Sequence, residues 1–371
     1  MLLCIITQAT TLIRGFNMKV SPHIQDILLA AGNGVHPSKA DCISLLDLSE
    51  YSPECSLLRA SADAFSRQRF SQRAMLLAQI GIDIAPCPAD CQFCSFAESI
   101  TRFPRQTMTT ETILDHSEQL TGNNTLHSLF LMTMHTFDHD HLLKVIREMR
   151  KKLSPAVHIV LNIGDFNRTQ AEEFRCAGVN GAYHVRRLRE GIDNTLEPSA
   201  RLKTIEVIKE AGLDWYTCCE PIGPEHSNAE IVEQIFESYD LGCFQNAAMR
   251  RVVIPNSKLK KYGKISELRL AQIVSVVTLA GLDCSELSSI AVHEPNALGL
   301  MSGANCIYAE AGANPRDTQT KTEQSRGLSL QDCEELLLEC GYSTVMLPEG
   351  KEAPLSGYDL QTYTGVSQIQ Y

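Results

Sequence analysis

No apolar run in this chain of 371 residues approaches the roughly 18 to 20 residues needed to cross a bilayer. A membrane span is therefore not expected. Basic charge is also in short supply, with 33 Lys and Arg against 44 Asp and Glu and a formal net charge of −11. Recognition of nucleic acid needs Lys and Arg concentrated along the phosphates. Here they gather only in short patches, at 147–152 and 258–264, that read as solvated helix ends and loops. The opening MLLCIITQATTLIRGFNMKV has no basic region ahead of its apolar stretch and no clear small-residue cleavage site, so a secretory leader is not expected either. Met1 and Met18 both stand as candidate starts. Cysteine is the reverse case. The 14 cysteines are scattered through apolar segments of a chain far larger than the small domains that need disulfide staples, which points to reduced thiols and a cytoplasmic protein.

The most informative shortage is local. APCPADCQFCSFAE, residues 85–98, sets Cys87, Cys91 and Cys94 in the spacing C-x3-C-x2-C and supplies no fourth cysteine. A structural zinc ion takes four ligands, and an ordinary iron-sulfur cube is likewise held by four thiolates. Three thiolates hold three irons of a [4Fe-4S] cube and leave the fourth iron open to a substrate or cofactor. Pro86, Pro88 and Asp90 mark an irregular loop around them rather than a packed element. Zinc completed by a distant fourth ligand, or three unconnected buried thiols, are the other readings of the same spacing.

Around this loop the chain alternates regularly. Strand-like runs fall at 80–85, 128–134, 157–163, 179–185, 214–218, 249–254, 288–293 and 305–308, with helical patterns between them at 109–120, 139–153, 199–211 and 266–280. Strand and helix in alternation imply parallel pairing, and eight such strands fit a closed (βα)8 TIM barrel. We therefore expect an N-terminal helical extension over 1–75 packed on the barrel, the barrel itself over 76–345, and a tail over 346–371. The cysteine loop then follows the first strand at its C-terminal end, the face where barrel enzymes carry their chemistry.

That combination resembles the radical S-adenosylmethionine (radical SAM) superfamily, and its second half is similar to biotin synthase and relatives such as the hydrogenase maturases and methylornithine synthase. The resemblance implies that the amino and carboxylate groups of S-adenosyl-L-methionine chelate the open iron. An electron from the reduced cluster then cleaves the sulfonium, and the resulting 5′-deoxyadenosyl radical takes hydrogen from a small-molecule substrate. An electron donor such as flavodoxin or ferredoxin goes with it. Phe93, before the last cysteine, matches an aromatic beside the adenine. CCEPIGPEHSNAEIV at 218–232 matches the fifth-strand segment through Ile222, Gly223 and Glu225, while RRVVIPNSKL at 250–259 resembles the sixth-strand turn and contributes Ile254. LMSGANCIYAEAGANPRD at 300–317 resembles the closing strand of biotin synthase.

A guanidinium at a strand end can pair with the carboxylate of SAM. YHVRRLREG at 183–191 offers Arg187 and Arg189 for this, with Glu190 for a ribose hydroxyl or the amino group. The Gly-Gly-Glu-like turn of many members is replaced by MTMHTFDHD at 132–140, so Thr133, His135 and, one strand on, Asn162 enter the cofactor-binding set. Cys218 and Cys219 stand at the end of the fifth strand, where one thiol must face inward and its neighbour outward. The inward thiol holds an auxiliary cluster, takes part in substrate chemistry or packs against the substrate. Met132, Val160 and Ser288 replace the other auxiliary-cluster ligands of biotin synthase, which favours a cofactor- or vitamin-biosynthetic enzyme with one cluster over a sulfur-inserting enzyme of the biotin or lipoyl synthase type. A non-catalytic zinc or iron-sulfur regulatory protein is the alternative from outside enzymology.

Overall fold

A computed structural model describes residues 20–84, 86–314 and 327–355. Both candidate starts, Ala85, the 315–317 end of the closing segment and the tail beyond 355 lie outside the described residues. Eight parallel strands form a ring: β1 (Met75–Gly81), β2 (Ser128–Met132), β3 (His158–Asn162), β4 (Gly181–Tyr183), β5 (Asp214–Tyr216), β6 (Gln245–Arg250), β7 (Ser289–Val292) and β8 (Cys306–Gly312). Each pairs with the next, and β8 pairs with β1 from Met75 against Cys306 to Gly81 against Gly312, so the sheet has no free edge. Helices lie between successive strands. The expected (βα)8 barrel is the fold.

Alternation along each strand builds two cores from one sheet. In β1, Leu76, Ala78 and Ile80 face the helices, whereas Met75 and Leu77 fill the lumen with Phe130, Val160, Tyr216, Ala247, Ala291 and Tyr308. The helices start where local chemistry dictates. Thr109, Asn167, Ser227 and Ser266 each accept a backbone N–H of the first turn, and Ser227 with Glu230 completes a capping box.

Two strand positions differ from the sequence expectation. The first strand is Met75–Gly81 rather than 80–85; Asp83–Ile84 instead pairs antiparallel with Gln106–Thr107. The preceding helix Pro53–Arg69 stops at Phe70 because Ser71 and Gln72 take left-handed conformations, φ 54° and 57°, a break that neither residue type announces. The sixth strand is Gln245–Arg250 rather than 249–254. Its polar start is buried, and Gln245 there donates to Ser289 Oγ at 2.8 Å. Ile254, meanwhile, leaves the sheet to pack with Ala97 and Ile100 beside the cysteine loop. The fifth strand is also split: Cys219–Ile222 is a separate segment paired with β6 through a register shift.

Helices Pro22–Gly32, Lys39–Leu46 and Pro53–Arg69 precede the barrel and pack on it chiefly through helix Glu267–Ala280. Gln272 donates to Leu45 O at 2.8 Å and Leu48 O at 3.0 Å, and Arg69 donates to Leu282 O at 2.8 Å. After the barrel strands, helix Leu330–Glu339 and a hairpin of Thr344–Met346 with Glu352–Pro354 follow.

At the C-terminal mouth, two glycines permit backbone crossings that a side chain would block. A Cβ on Gly81 would lie 1.9 Å from Ala313 O, and one on Gly164 would lie 1.7 Å from His135 O. These crossings draw the segments after β8 and β2 over the strand ends, where the cavity opens.

Candidate active site

The cysteine loop is wound tightly by its own backbone. Cys87 N–H donates to Phe96 O, Cys94 N–H to Cys91 O and Glu98 N–H to Cys87 O. Asp90, at φ 46°, pins it from within by accepting Ser99 N–H at 2.8 Å and Gln92 Nε2 at 3.1 Å. From outside, Thr195 N–H donates to Ala89 O, its hydroxyl donates to Pro88 O at 2.9 Å, and Ser257 Oγ donates to Gln92 O. Local chemistry thus places three thiols, and the barrel holds the loop that carries them.

All three thiols line one cavity at the mouth, together with Phe93, Thr133, His135, Asn162 and Arg187. Burial pushes the Cys91 thiol well above its ordinary range and Cys94 up to about 12, with the Arg187 guanidinium opposing the rise in both. Such thiols stay protonated unless a cation compensates the thiolate charge. The donor set fits an iron-sulfur cluster on this ground. Its three sulfurs share one loop, and the Phe96 N–H is directed at Cys94 Sγ at 3.4 Å, where it suits a ligating thiolate.

Arg187 reaches over the Phe93 ring, 5.8 Å from its centroid, and pairs with Glu220 Oε1 at 2.9 Å. Burial disfavours its charged form, but Glu220 and Glu190 outweigh that and hold the guanidinium firmly protonated. Glu220 Oε2 accepts the Tyr183 hydroxyl at 2.8 Å, and Asn162 Nδ2 donates to Gln79 Oε1 at 2.8 Å. Behind this wall, Asp165 takes Arg201 at 2.7 Å and His184 Nε2 at 3.0 Å, with His135 at 3.9 Å. Burial lowers the pKa of His135, and Asp165 only partly offsets this. Thr133 turns its hydroxyl to Met134 O at 2.8 Å.

The remaining residues singled out from sequence lie elsewhere. Arg189, at φ 57°, turns away to Asp193 at 3.6 Å. Glu190 is buried as a local staple, accepting Arg187 N–H at 2.7 Å and Asn194 Nδ2 at 2.5 Å, so both its oxygens serve the loop. Glu225 is held in a two-pronged pair by Arg251, and Gly223 packs directly on both of them. Ile222 belongs to the core between sheet and helices, and Ile254 to the small cluster under the cysteine loop. Cys218 faces the lumen, whereas Cys219 faces outward against helix Asn228–Asp240, its Sγ 3.9 Å from Ile231 O.

Sequence reading passed over Glu220, Tyr183, His293, Tyr308 and Arg201, all of which line the cavity. A period-two signal was present for part of this set. Tyr216, Cys218 and Glu220 lie two apart and share the inner face, as do Cys306 and Tyr308. Arg201 sits on helix Pro198–Glu210 and reaches the site only through tertiary packing.

With this geometry in place, comparison with known proteins is decisive for the fold. No family model matches the chain. A biotin synthase from Nocardioides sp. is 24% identical over 301 residues, covering 75% of this chain and 78% of its own. The crystal structure of methylornithine synthase (PylB) matches with a TM-score of 0.71 at 16% identity, over 85% of this chain and 96% of that one. The hydrogenase maturase HydG from Carboxydothermus hydrogenoformans matches with 0.71 at 15%, over 92% and 83%. Both solved structures share the barrel fold of this chain. In this barrel, the loop after β1 and the strand ends around Arg187 form a single concave site. No described helix is long and apolar enough to cross a membrane.

Proposed function

We propose that this protein is a radical SAM enzyme in which Cys87, Cys91 and Cys94 hold a [4Fe-4S] cluster and a small molecule reacts within the barrel. The observation that carries the reading is that three thiols on one loop face a cavity continuous with the lumen, with the Arg187 guanidinium leaning over the same loop. When bound, the cluster supplies the electron that cleaves SAM reductively to a 5′-deoxyadenosyl radical.

The chain's own residues do the rest. Arg187, kept cationic by Glu220, is the partner for the carboxylate of SAM, and Phe93 offers its ring alongside. Thr133, His135 and Asn162 present polar groups across the cavity. Tyr183, Phe130, Tyr308 and Met249 give it apolar walls that exclude water from a reactive intermediate. A substrate in a cofactor- or vitamin-biosynthetic step, reduction by a flavodoxin- or ferredoxin-type donor, and a cytoplasmic setting complete the reading. The barrel over 76–345 carries this chemistry, and the helices before it brace the outer wall.

Anaerobic reconstitution tests it. The expected outcome is about four irons per chain and formation of 5′-deoxyadenosine with SAM and dithionite. Purification as a zinc protein that gathers no iron and leaves SAM intact would overturn the proposal.

A further inference from the structure

Beneath the cavity lies a cluster that the cysteine loop does not use. Cys218 Sγ, a carboxylate oxygen of Glu220 and a ring nitrogen of His293 all lie within 4.8 Å of one another. Cys218 and Glu220 are two apart on one face of the split fifth strand, and His293 directly follows β7. We propose that Cys218, Glu220 and His293 bind one divalent transition-metal ion, zinc or ferrous iron, on the cavity floor.

The donor set is the first argument. Thiolate, imidazole and carboxylate together select zinc or ferrous iron over magnesium or calcium, which take oxygen alone. With bonds of about 2.0–2.3 Å, two ligands of a tetrahedral ion stand about 3.5 Å apart, so the ligand atoms, within 4.8 Å of one another, need draw together by little more than about 1 Å. Support around the ligands is the second argument. Tyr183 donates to Glu220 Oε2 at 2.8 Å, Arg187 holds Oε1 at 2.9 Å, and Tyr183 stacks on the His293 ring with centroids 5.6 Å apart and planes inclined by 27°. Such outer contacts fix the orientation of ligands. Position is the third. Glu220 and His293 line the cavity, and Cys218 lies buried behind them, so three protein ligands leave a fourth position that opens toward the space where a substrate sits. The ion would grip a substrate's sulfur, nitrogen or oxygen at that position. One thiol cannot hold a cluster, and the proposal stands whether or not the cysteine loop carries iron.

The test uses the full-length chain with Cys87, Cys91 and Cys94 all replaced by Ala, stripped of metal and titrated with Co2+. Expected are one tightly bound Co2+ per chain and a near-ultraviolet thiolate-to-cobalt charge-transfer band. Adding Cys218→Ser should abolish the band, and Tyr183→Phe should weaken binding by about tenfold. A titration with no such band, or a band that survives Cys218→Ser, overturns the proposal. If circular dichroism shows the triple variant unfolded, elemental analysis of the reconstituted wild-type chain decides. One metal ion beyond those of the cluster, lost in Cys218→Ser, supports the site, and equal metal content in the two proteins overturns it.

Discussion

The two ends of the barrel lumen bury polar groups in different ways. At the N-terminal foot, His127 Nδ1 meets Ser128 Oγ at 2.7 Å, Ser128 meets the Tyr216 hydroxyl at 3.2 Å, and Tyr308 donates to Gln245, which donates to Ser289. Every member is neutral, and the members satisfy one another. At the mouth the groups are charged or thiol-bearing and face a cavity. Arg187 pairs with Glu220, Arg201 with Asp165, and three cysteines stand opposite. Burial of polar atoms therefore does not distinguish a site from a scaffold, because both ends pair most of their buried polar groups. The distinction lies in charge held beside open space, where a field acts on a ligand instead of on a neighbour.

The comparison is most sharply tested at the cysteine loop. Replacing any one of Cys87, Cys91 or Cys94 by Ala should abolish 5′-deoxyadenosine formation while far-ultraviolet circular dichroism stays near wild type. Full SAM cleavage in all three variants would break the assignment of the mouth as the reactive end. Next in size is the contrast between two neighbouring arginines. A charge-assisted hydrogen bond contributes about 1.5–3 kcal/mol, so Arg187→Ala should weaken SAM binding by about 10- to 100-fold. Arg189→Ala, outside the cavity, should leave it within about twofold by calorimetric titration. Equal losses in the two would show that the loop, not the guanidinium, matters.

A third test concerns the backbone crossings. Gly81→Ala forces a Cβ onto Ala313 O and should destabilise the protein by about 1–3 kcal/mol in denaturant titration. The position of Gly212, at φ 70° with nothing within 4 Å, offers no such clash, so Gly212→Ala should cost only its left-handed backbone, about 1 kcal/mol. The smallest effect is expected at the foot and on the wall behind the mouth. Burial lowers His127 and His184 to about 3 from the ordinary 6.5, so both stay neutral in the folded chain. Below pH 6.5 the unfolded chain takes up these protons and the folded chain does not. Their contribution is whole above 6.5 and drains away as pH falls toward 3. His127→Gln should flatten stability against pH across that window, and an unchanged slope would mean that the foot tolerates a charged imidazole.

Much of this was legible in the residues. The strand and helix alternation is written in local periodicity, and the C-x3-C-x2-C spacing needs no partner from elsewhere to place its thiols on one loop. The strands that were mispositioned failed for a physical reason. Ser71 and Gln72 break a helix through backbone conformations their side chains do not advertise, and Gln245 sits in a strand because Ser289 and Tyr308, far along the chain, satisfy it. Glu225 looks available in sequence because nothing local reveals that Arg251 will engage it.

By itself the sequence determined the element order, the parallel barrel and the three-thiol loop, since each follows from periodicity, capping and spacing within a few residues. Only the tertiary structure decided which arginine faces the thiols, which of two adjacent cysteines faces the lumen, and that Cys218, Glu220 and His293 come together. These depend on strand register, on a split in the fifth strand and on ring closure, which bring distant residues to one point. No local pattern encodes that convergence.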